Sequence, residues 1–454
     1  MTRSSTERLT RDAASIRGAS IWGRVSAVDQ SVIRVVGLNA IARAGQAVEI
    51  DAISTDGESA ALLGEIIAMN QTEMVVYAYN KVRGVKIGDR ARLLDIDVVA
   101  PSARWLGELI DPLGYDMHGT KAPVGDKPRR LDSAPPAAGL RRGFGERMAC
   151  GLNVFDTFLP ICRGQRVGLF AAPGVGKSSL VASLATRAEA DVVVVALIGE
   201  RGREVRAFFD KALTEDVRAR TVVFAATSDQ PAPLKKRAAQ LAMTAAEHFR
   251  DDGKHVLFLF DSLTRFADAH REIALASGEP PSIRAYPPST FQALSSLVER
   301  AGPGAAHNKG DITGVFTVLA AAGDMDAPVP DAIRGFLDGH FVLERTIAER
   351  GRFPAIDVLK SASRSLPEAA TDAENHTLLY ARKLLGAYRD GEIMVKAGLY
   401  DRGADPTLDA ALSIHADLDG FLAGKSGSIE EAFATLSDIL REANVGAAPM
   451  AKVS

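Results

Sequence analysis

Nine residues constrain this chain more than any others: Phe170-Ala171-Ala172-Pro173-Gly174-Val175-Gly176-Lys177-Ser178. The run reads as a phosphate-binding loop. Its glycines let backbone N–H groups turn inward toward phosphate oxygens, Lys177 supplies a point charge, and the Ser178 hydroxyl is placed to ligate a divalent cation. The strict pattern opens with Gly where this chain has Ala171, a small departure because the cradle depends mainly on Gly174, Gly176, Lys177 and Ser178. The flanks agree. Arg166 to Phe170 is short and apolar, like a buried strand, and Leu180, Val181, Leu184 and Ala185 follow at helical spacing. A helix N-terminus is therefore expected to face the anion. Gly424-Lys425-Ser426 repeats the tripeptide, but no apolar strand precedes it, and a surface turn ahead of a helix near Ser428 is expected there.

Apolar runs at 166–170, 192–198, 221–226, 256–260, 312–319 and 340–344 alternate with helical patterns. That alternation predicts an α/β fold, a parallel sheet with helices on both faces. Short β-rich runs at 23–28, 32–36, 47–50, 74–77 and 91–94, separated by turn signals, predict a small antiparallel barrel before it. From Pro367 the pattern is helical. The expected organisation is an N-terminal extension at 1–20 with amphipathic helical spacing, a β-barrel domain at 21–97, a phosphate-loop domain at 98–365 and a C-terminal helical domain at 366–454.

The length of 454 residues exceeds one core. A net charge of -3 gives no support for nucleic-acid binding. The two cysteines, Cys150 and Cys162, match no metal spacing and are expected to be reduced and structural. No run approaches the ~18 apolar residues needed to span a membrane. Met1 to Ser20 has no apolar core of a secretory signal, so a cytoplasmic location is expected.

Two carboxylates fall at strand ends. Asp261 closes His255-Val256-Leu257-Phe258-Leu259-Phe260, where it can serve a metal beside the loop. Glu200 follows the 192–198 run, beyond a strand C-terminus, where ligands of open α/β sheets bind. A carboxylate there can polarise a water for attack on phosphate, or it can be one charge of a surface loop. Ser262 and Arg265 follow Asp261 and could orient the same shell.

The loop at 171–178, Gly199-Glu200-Arg201-Gly202-Arg203-Glu204-Val205, Leu259-Phe260-Asp261-Ser262-Leu263-Thr264-Arg265, Gly278-Glu279-Pro280-Pro281 and Tyr286-Pro287-Pro288-Ser289 together resemble the ATPases of bacterial type III secretion. Flagellar export ATPases are the nearest pattern, injectisome ATPases a sister group, and rotary ATP synthase subunits broader relatives. The resemblance runs from the barrel to the C-terminal helices. It implies ATP as substrate, with Mg²⁺. It implies catalytic roles for Lys177, Glu200, Arg201, Asp261 and Arg364, with Arg364 as a finger into a neighbouring subunit. Nucleotide contacts would come from Ala171, Ala172, Pro173, Gly174, Val175, Gly176, Lys177, Ser178 and Ser179, with Phe353 stacking on adenine. Ser178 and, through water, Asp261 would serve the metal. The implied partners are the chain itself as a homohexamer, a regulator or stator protein at the N-terminal extension, a coiled-coil stalk in the ring channel near 323–328, export-gate membrane proteins and chaperone–cargo complexes, with peripheral attachment at the membrane. Nucleic acid is not among them. A synthase subunit is disfavoured because Lys396 to Pro406 resembles export ATPases and the acidic torque-loop motif of the synthase catalytic subunit is missing. An RNA-translocating hexamer is disfavoured by the absence of an aromatic cluster in the barrel.

Overall fold

The computed structural model describes residues 21–53, 59–305, 310–320 and 323–446; the expected N-terminal helix lies outside the described residues. The chain divides into two compact units, one carrying residues up to 98 with 230–233 and 272–280, the other the remainder.

The first unit holds a closed barrel. Its strands are β1 (Gly23–Val28), β2 (Val32–Val36), β3 (Ala47–Ile53), β4 (Ser59–Met69), β5 (Met74–Ala78) and β6 (Arg90–Leu94), in the order β1-β2-β5-β4-β3-β6. Val25, Ile33, Val35, Val48, Ile50, Ile66, Met74 and Val76 fill it. Closure leaves no unpaired edge. The longest strand, β4, was not among the sequence-predicted runs. Ala60, Ala61, Gly64 and Ala68 give it weak β character. A bulge between Ile66 and Ala68 also breaks its alternation.

The second unit is built on a nine-stranded sheet. Its strands are β7 (Leu109–Ile110), β8 (Arg166–Ala171), β9 (Val192–Glu200), β10 (Thr221–Thr227), β11 (His255–Asp261), β12 (Gly302–Pro303), β13 (Asp311–Leu319), β14 (Gly339–Leu343) and β15 (Ala362–Ser363). The order is β15-β14-β8-β13-β11-β9-β10-β7, with β12 paired antiparallel to β13. The pairings from β14 to β7 are parallel, as predicted, and edge strand β15 is antiparallel. Leu109–Ile110, outside the predicted runs, adds β7 beside β10 at the sheet edge.

The principal helices are α1 (Lys177–Arg187), α2 (Gly202–Ala207), α3 (Ala232–Asp251), α4 (Leu263–Ala276), α5 (Pro288–Arg300), α6 (Pro328–Phe336), α7 (Arg345–Glu349), α8 (Asp372–Lys396), α9 (Pro406–Ala423) and α10 (Ile429–Gly446). Both faces of the sheet are covered. Val193, Val195 and Leu197 share a core with Leu180, Val181 and Leu184 of α1 and with Leu384, Ile414 and Leu436 of the C-terminal helices. Val194, Ala196 and Ile198 share the other with Ala242 and Met243 of α3 and Leu294 of α5. Strand residues alternate between faces, so odd positions of β9 meet α1 and even positions meet α3. Cys150 and Cys162 are free and buried, as expected. Gly424 to Ser426 forms the turn between α9 and α10, and Ser426 is more than surface there, because its hydroxyl donates to Asp156 Oδ2 at 2.7 Å.

Candidate active site

The glycine loop joins β8 to α1, the context its sequence requires. Gly174 (φ 84°) and Gly176 (φ 90°) are left-handed, and a Cβ on Gly174 would meet nothing within 4 Å. The loop therefore has the conformations that side chains resist and open space on its outer side, which fits a phosphate group. Gly176 caps α1, placing the N–H groups of Lys177, Ser178 and Ser179 at the positive end of an eleven-residue helix. Ala172 is half-buried, and Ser178 and Ser179 are exposed.

Two strand ends deliver the carboxylates. Lys177 Nζ forms an ion pair with Asp261 Oδ1 and lies 3.4 Å from Glu200 Oε1. An ammonium has three N–H donors, so one remains for an incoming phosphate oxygen. Asp261 accepts a second hydrogen bond at 2.6 Å from the Thr317 hydroxyl. Thr317 went unnoticed in the sequence. Its signal was a hydroxyl inside the apolar run 312–319, on the strand registered beside β11 through Phe260 and Phe316.

Glu200 reaches this place through a register change. A bulge lies between Ile198 and Glu200, with Gly199 (φ 77°) as the extra residue. An unbroken ladder would send residue 200 to the α3 face with Ile198. The bulge returns it to the α1 face, where Ser178, Leu197, Glu200, Glu204, Phe208 and Asp261 line a cavity of about 280 Å³. Burial raises the Glu200 carboxyl above its ordinary range, the negative charge of Asp261 adds to this, Lys177 opposes it, and a hydrogen bond with Glu204 raises it further. A carboxylate so placed is a better proton acceptor than an exposed one. Glu204 was not among the sequence-predicted site residues.

The other predicted residues are placed differently. Phe353 is 52 % exposed, so it is no core ring. A Cβ on Gly176 would stand 3.1 Å from two of its ring carbons, so the ring lies against the loop. Arg201 is exposed and its Nη1 lies 3.5 Å from Glu204 Oε1, not at Lys177. The Arg265 side chain packs against Gly199, and Ser262 is buried. Arg364 is exposed on the far sheet edge, and its guanidinium makes no hydrogen bond or ion pair among the described residues. Its own chain does not bring it to Glu200. In the loop at 323–328, Asp324 Oδ2 lies 3.5 Å from Arg284 Nη1.

Among the described residues no cluster of three or more His, Cys, Asp or Glu is placed to hold a metal. The donors present, one hydroxyl and one carboxylate beside an anion cradle, suit Mg²⁺ that keeps waters and phosphate oxygens as its other ligands. No helix among the described residues is long and apolar enough to cross a membrane.

Residues 151–363 match the nucleotide-binding domain of the ATP synthase alpha/beta family, and residues 370–438 match the T3SS EscN ATPase C-terminal domain. The flagellum-specific ATP synthase of Caulobacter vibrioides is 42% identical over 431 residues, 93% of this chain and 96% of that protein. The SPI-2 type 3 secretion system ATPase of Salmonella typhimurium is 41% identical over 79% of this chain and 82% of that protein. The assembled ATPase EscN of enteropathogenic E. coli superposes with a TM-score of 0.84 at 34% identity, covering 92% of this chain and 100% of that one. The same ATPase has been solved in complex with its central stalk, EscO, with a TM-score of 0.82 to this chain. A phosphate loop in its strand–helix setting, two carboxylates gathered on its lysine and similarity along nearly the whole length lead to one conclusion: this chain is an ATPase and belongs to the type III secretion and flagellar ATPase family, within the ATP synthase alpha/beta family.

Proposed function

We propose that this ATPase energises the flagellar protein export apparatus, hydrolysing ATP at the interfaces of a homohexameric ring. The observation that carries the catalytic part is Lys177 lying between Glu200 and Asp261 at the mouth of the phosphate loop. Glu200 accepts a proton from the attacking water, and its burial keeps that carboxylate basic enough to do so. The loop N–H groups and Lys177 hold the phosphates. Ser178 and, through water, Asp261 would hold the Mg²⁺ that comes with the nucleotide, which would supply positive charge to the phosphate oxygens. Phe353 stacks on adenine. Arg364, exposed and with a guanidinium that makes no hydrogen bond or ion pair among the described residues, completes the site of the next subunit and stabilises the transition-state charge. Arg201 supports the phosphate end of the site. A ring of identical head-to-tail contacts supplies both residues to every interface. The central stalk solved with EscN supports a stalk partner here. Attachment of the ring to the membrane, a stator at residues 1–20, export-gate contacts and chaperone–cargo recognition belong to the same proposal.

The test mixes two inactive variants. Arg364→Ala and Glu200→Gln should each bind nucleotide and fail to turn over. In a random one-to-one ring, about a quarter of interfaces regain both residues, and ATPase activity should return. No activity in the mixture would overturn the shared site. Deleting the gene separates the two secretion systems, since identities of 42% and 41% to flagellar and SPI-2 relatives do not. Loss of swimming is expected, and normal filaments and swimming would transfer the assignment to an injectisome.

A further inference from the structure

The segment that carries Phe353 is tied to the C-terminal helices by two arginines that no sequence pattern marked. Arg350 Nη2 lies 3.2 Å from Glu392 Oε1 on α8. Arg352 Nε lies 3.0 Å from Asp419 Oδ1 on α9, and its Nη2 donates at 2.9 Å to the Ile356 carbonyl across the same loop. Arg352 is 8 % exposed; its contact with Asp419 is an ion pair, and neither Nε nor Nη1 makes a hydrogen bond among the described residues. Burying an arginine this far is costly unless a counter-charge holds it, so Asp419 fixes where the guanidinium rests. The two helices are themselves clamped at this level. Tyr388 of α8 and His415 of α9 stack with ring centroids 3.4 Å apart and planes 7° from parallel. Burial lowers the pKa of His415, so the ring stays neutral near pH 7 and does not compete with Arg352 for Asp419. A contiguous line of contacts results, from α9 through Asp419 and Arg352 to the neighbouring Phe353 ring and so to Gly176 of the phosphate loop.

We propose that Arg352 is a positioning residue. Its pairing with Asp419 sets the pose of Phe353 against the phosphate loop, so that the placement of α8 and α9 is read out as affinity for the nucleoside part of the nucleotide. The proposal rests on the reading of Phe353 as the base-stacking residue.

The experiment compares binding of ADP with binding of inorganic tripolyphosphate, which has no base, by titration calorimetry on the full chain. Asp419→Asn should weaken ADP about five-fold, the size expected for a half-exposed pair, and leave tripolyphosphate unchanged. Arg352→Lys keeps the charge but loses the fork to Ile356, so it should fall between Asp419→Asn and the unchanged protein. Asp419→Asn should also raise KM for ATP with kcat held, the sign of lost uniform binding. Phe353→Ala is the control. If Phe353→Ala weakens ADP selectively but Asp419→Asn does not, the positioning role is overturned and the stacking reading stands. If Phe353→Ala leaves the ADP-to-tripolyphosphate ratio unchanged, the stacking reading fails and this proposal with it. Equal weakening of both ligands by Asp419→Asn would make the pair a general structural tie, which also overturns the proposal.

Discussion

Two clusters of buried charge sit in the sheet unit, and they are finished to different degrees. At the end of α5, Arg300 Nε and Nη2 reach both oxygens of Glu247 at 2.9 and 2.8 Å, Nη2 also meets Thr244 at 3.0 Å, and Nη1 donates to the Leu131 carbonyl at 2.7 Å. Both side chains are at most 5% exposed. At the phosphate loop, Lys177 meets one carboxylate closely and the other at 3.4 Å, and Glu200 is left with a raised proton affinity. The first cluster engages four of the five guanidinium N–H donors and is closed off from solvent, so it offers nothing a ligand can reach. The second keeps a donor and a basic oxygen in reserve. Buried charge becomes a site where spare hydrogen-bonding capacity opens on a cavity, and a brace where it is engaged and sealed in.

That difference predicts that damage to the two clusters registers in different measurements. Glu200→Gln should lower kcat by ~10²–10⁴-fold, the usual loss for a general base, while thermal unfolding stays near that of the unsubstituted protein. A normal turnover rate would remove Glu200 from the mechanism. Arg300→Met should do the reverse. It leaves Glu247 buried without its counter-charge, and unfolding experiments should show a loss of ~3–5 kcal/mol with nucleotide affinity retained in what remains folded. Replacing both partners, Arg300→Met with Glu247→Leu, should recover most of that loss, because an apolar pair does not need hydration. A double variant as unstable as the single one would mean that Thr244 and the Leu131 carbonyl, not the pair, dominate.

Gly199→Ala is intermediate. Its φ of 77° resists a side chain, and the new Cβ would stand 3.0 Å from Arg265 Cβ. The expected cost is ~1–2 kcal/mol of stability, with a larger fall in kcat than in nucleotide affinity, because the bulge aims Glu200. The smallest effect is a shift in pH dependence. Glu200 must be ionised to accept a proton, so activity falls as pH drops through its raised pKa. Glu204 contributes to that rise, and Glu204→Gln should move the acid limb of kcat toward lower pH. An acid limb that stays in place or moves upward would show that the hydrogen bond with Glu204 does not govern the titration.

The frame of the sheet was legible in the sequence because fully buried parallel strands must be continuous apolar runs, and six such runs became β8, β9, β10, β11, β13 and β14. The phosphate loop was legible because its conformation demands glycines at fixed offsets. The brace at Arg300 was not, because its partners are 53 to 169 residues away and carry no local periodicity. Thr317 was missed for the same reason, its partner Asp261 lying 56 residues away; Glu204, only four residues from Glu200, was hidden among the other charges of its own motif. β4 was missed because alanines and a bulge hide its alternation. The expected strand ended at Ile198, whereas β9 runs to Glu200, and the glycine between them read only as a loop residue.

That glycine gives the catalytic face a property of parity. Val193, Val195 and Leu197 look toward the phosphate-loop helix, and Glu200, despite its even number, keeps company with them because Gly199 is not counted by the ladder. Excising Gly199 altogether would therefore leave the carboxylate on its proper side, whereas drawing Gly199 into regular pairing would turn it to the opposite side with every catalytic residue still present. What is inherited at this point of the chain is an odd–even relation, and it can be lost without altering a single functional group.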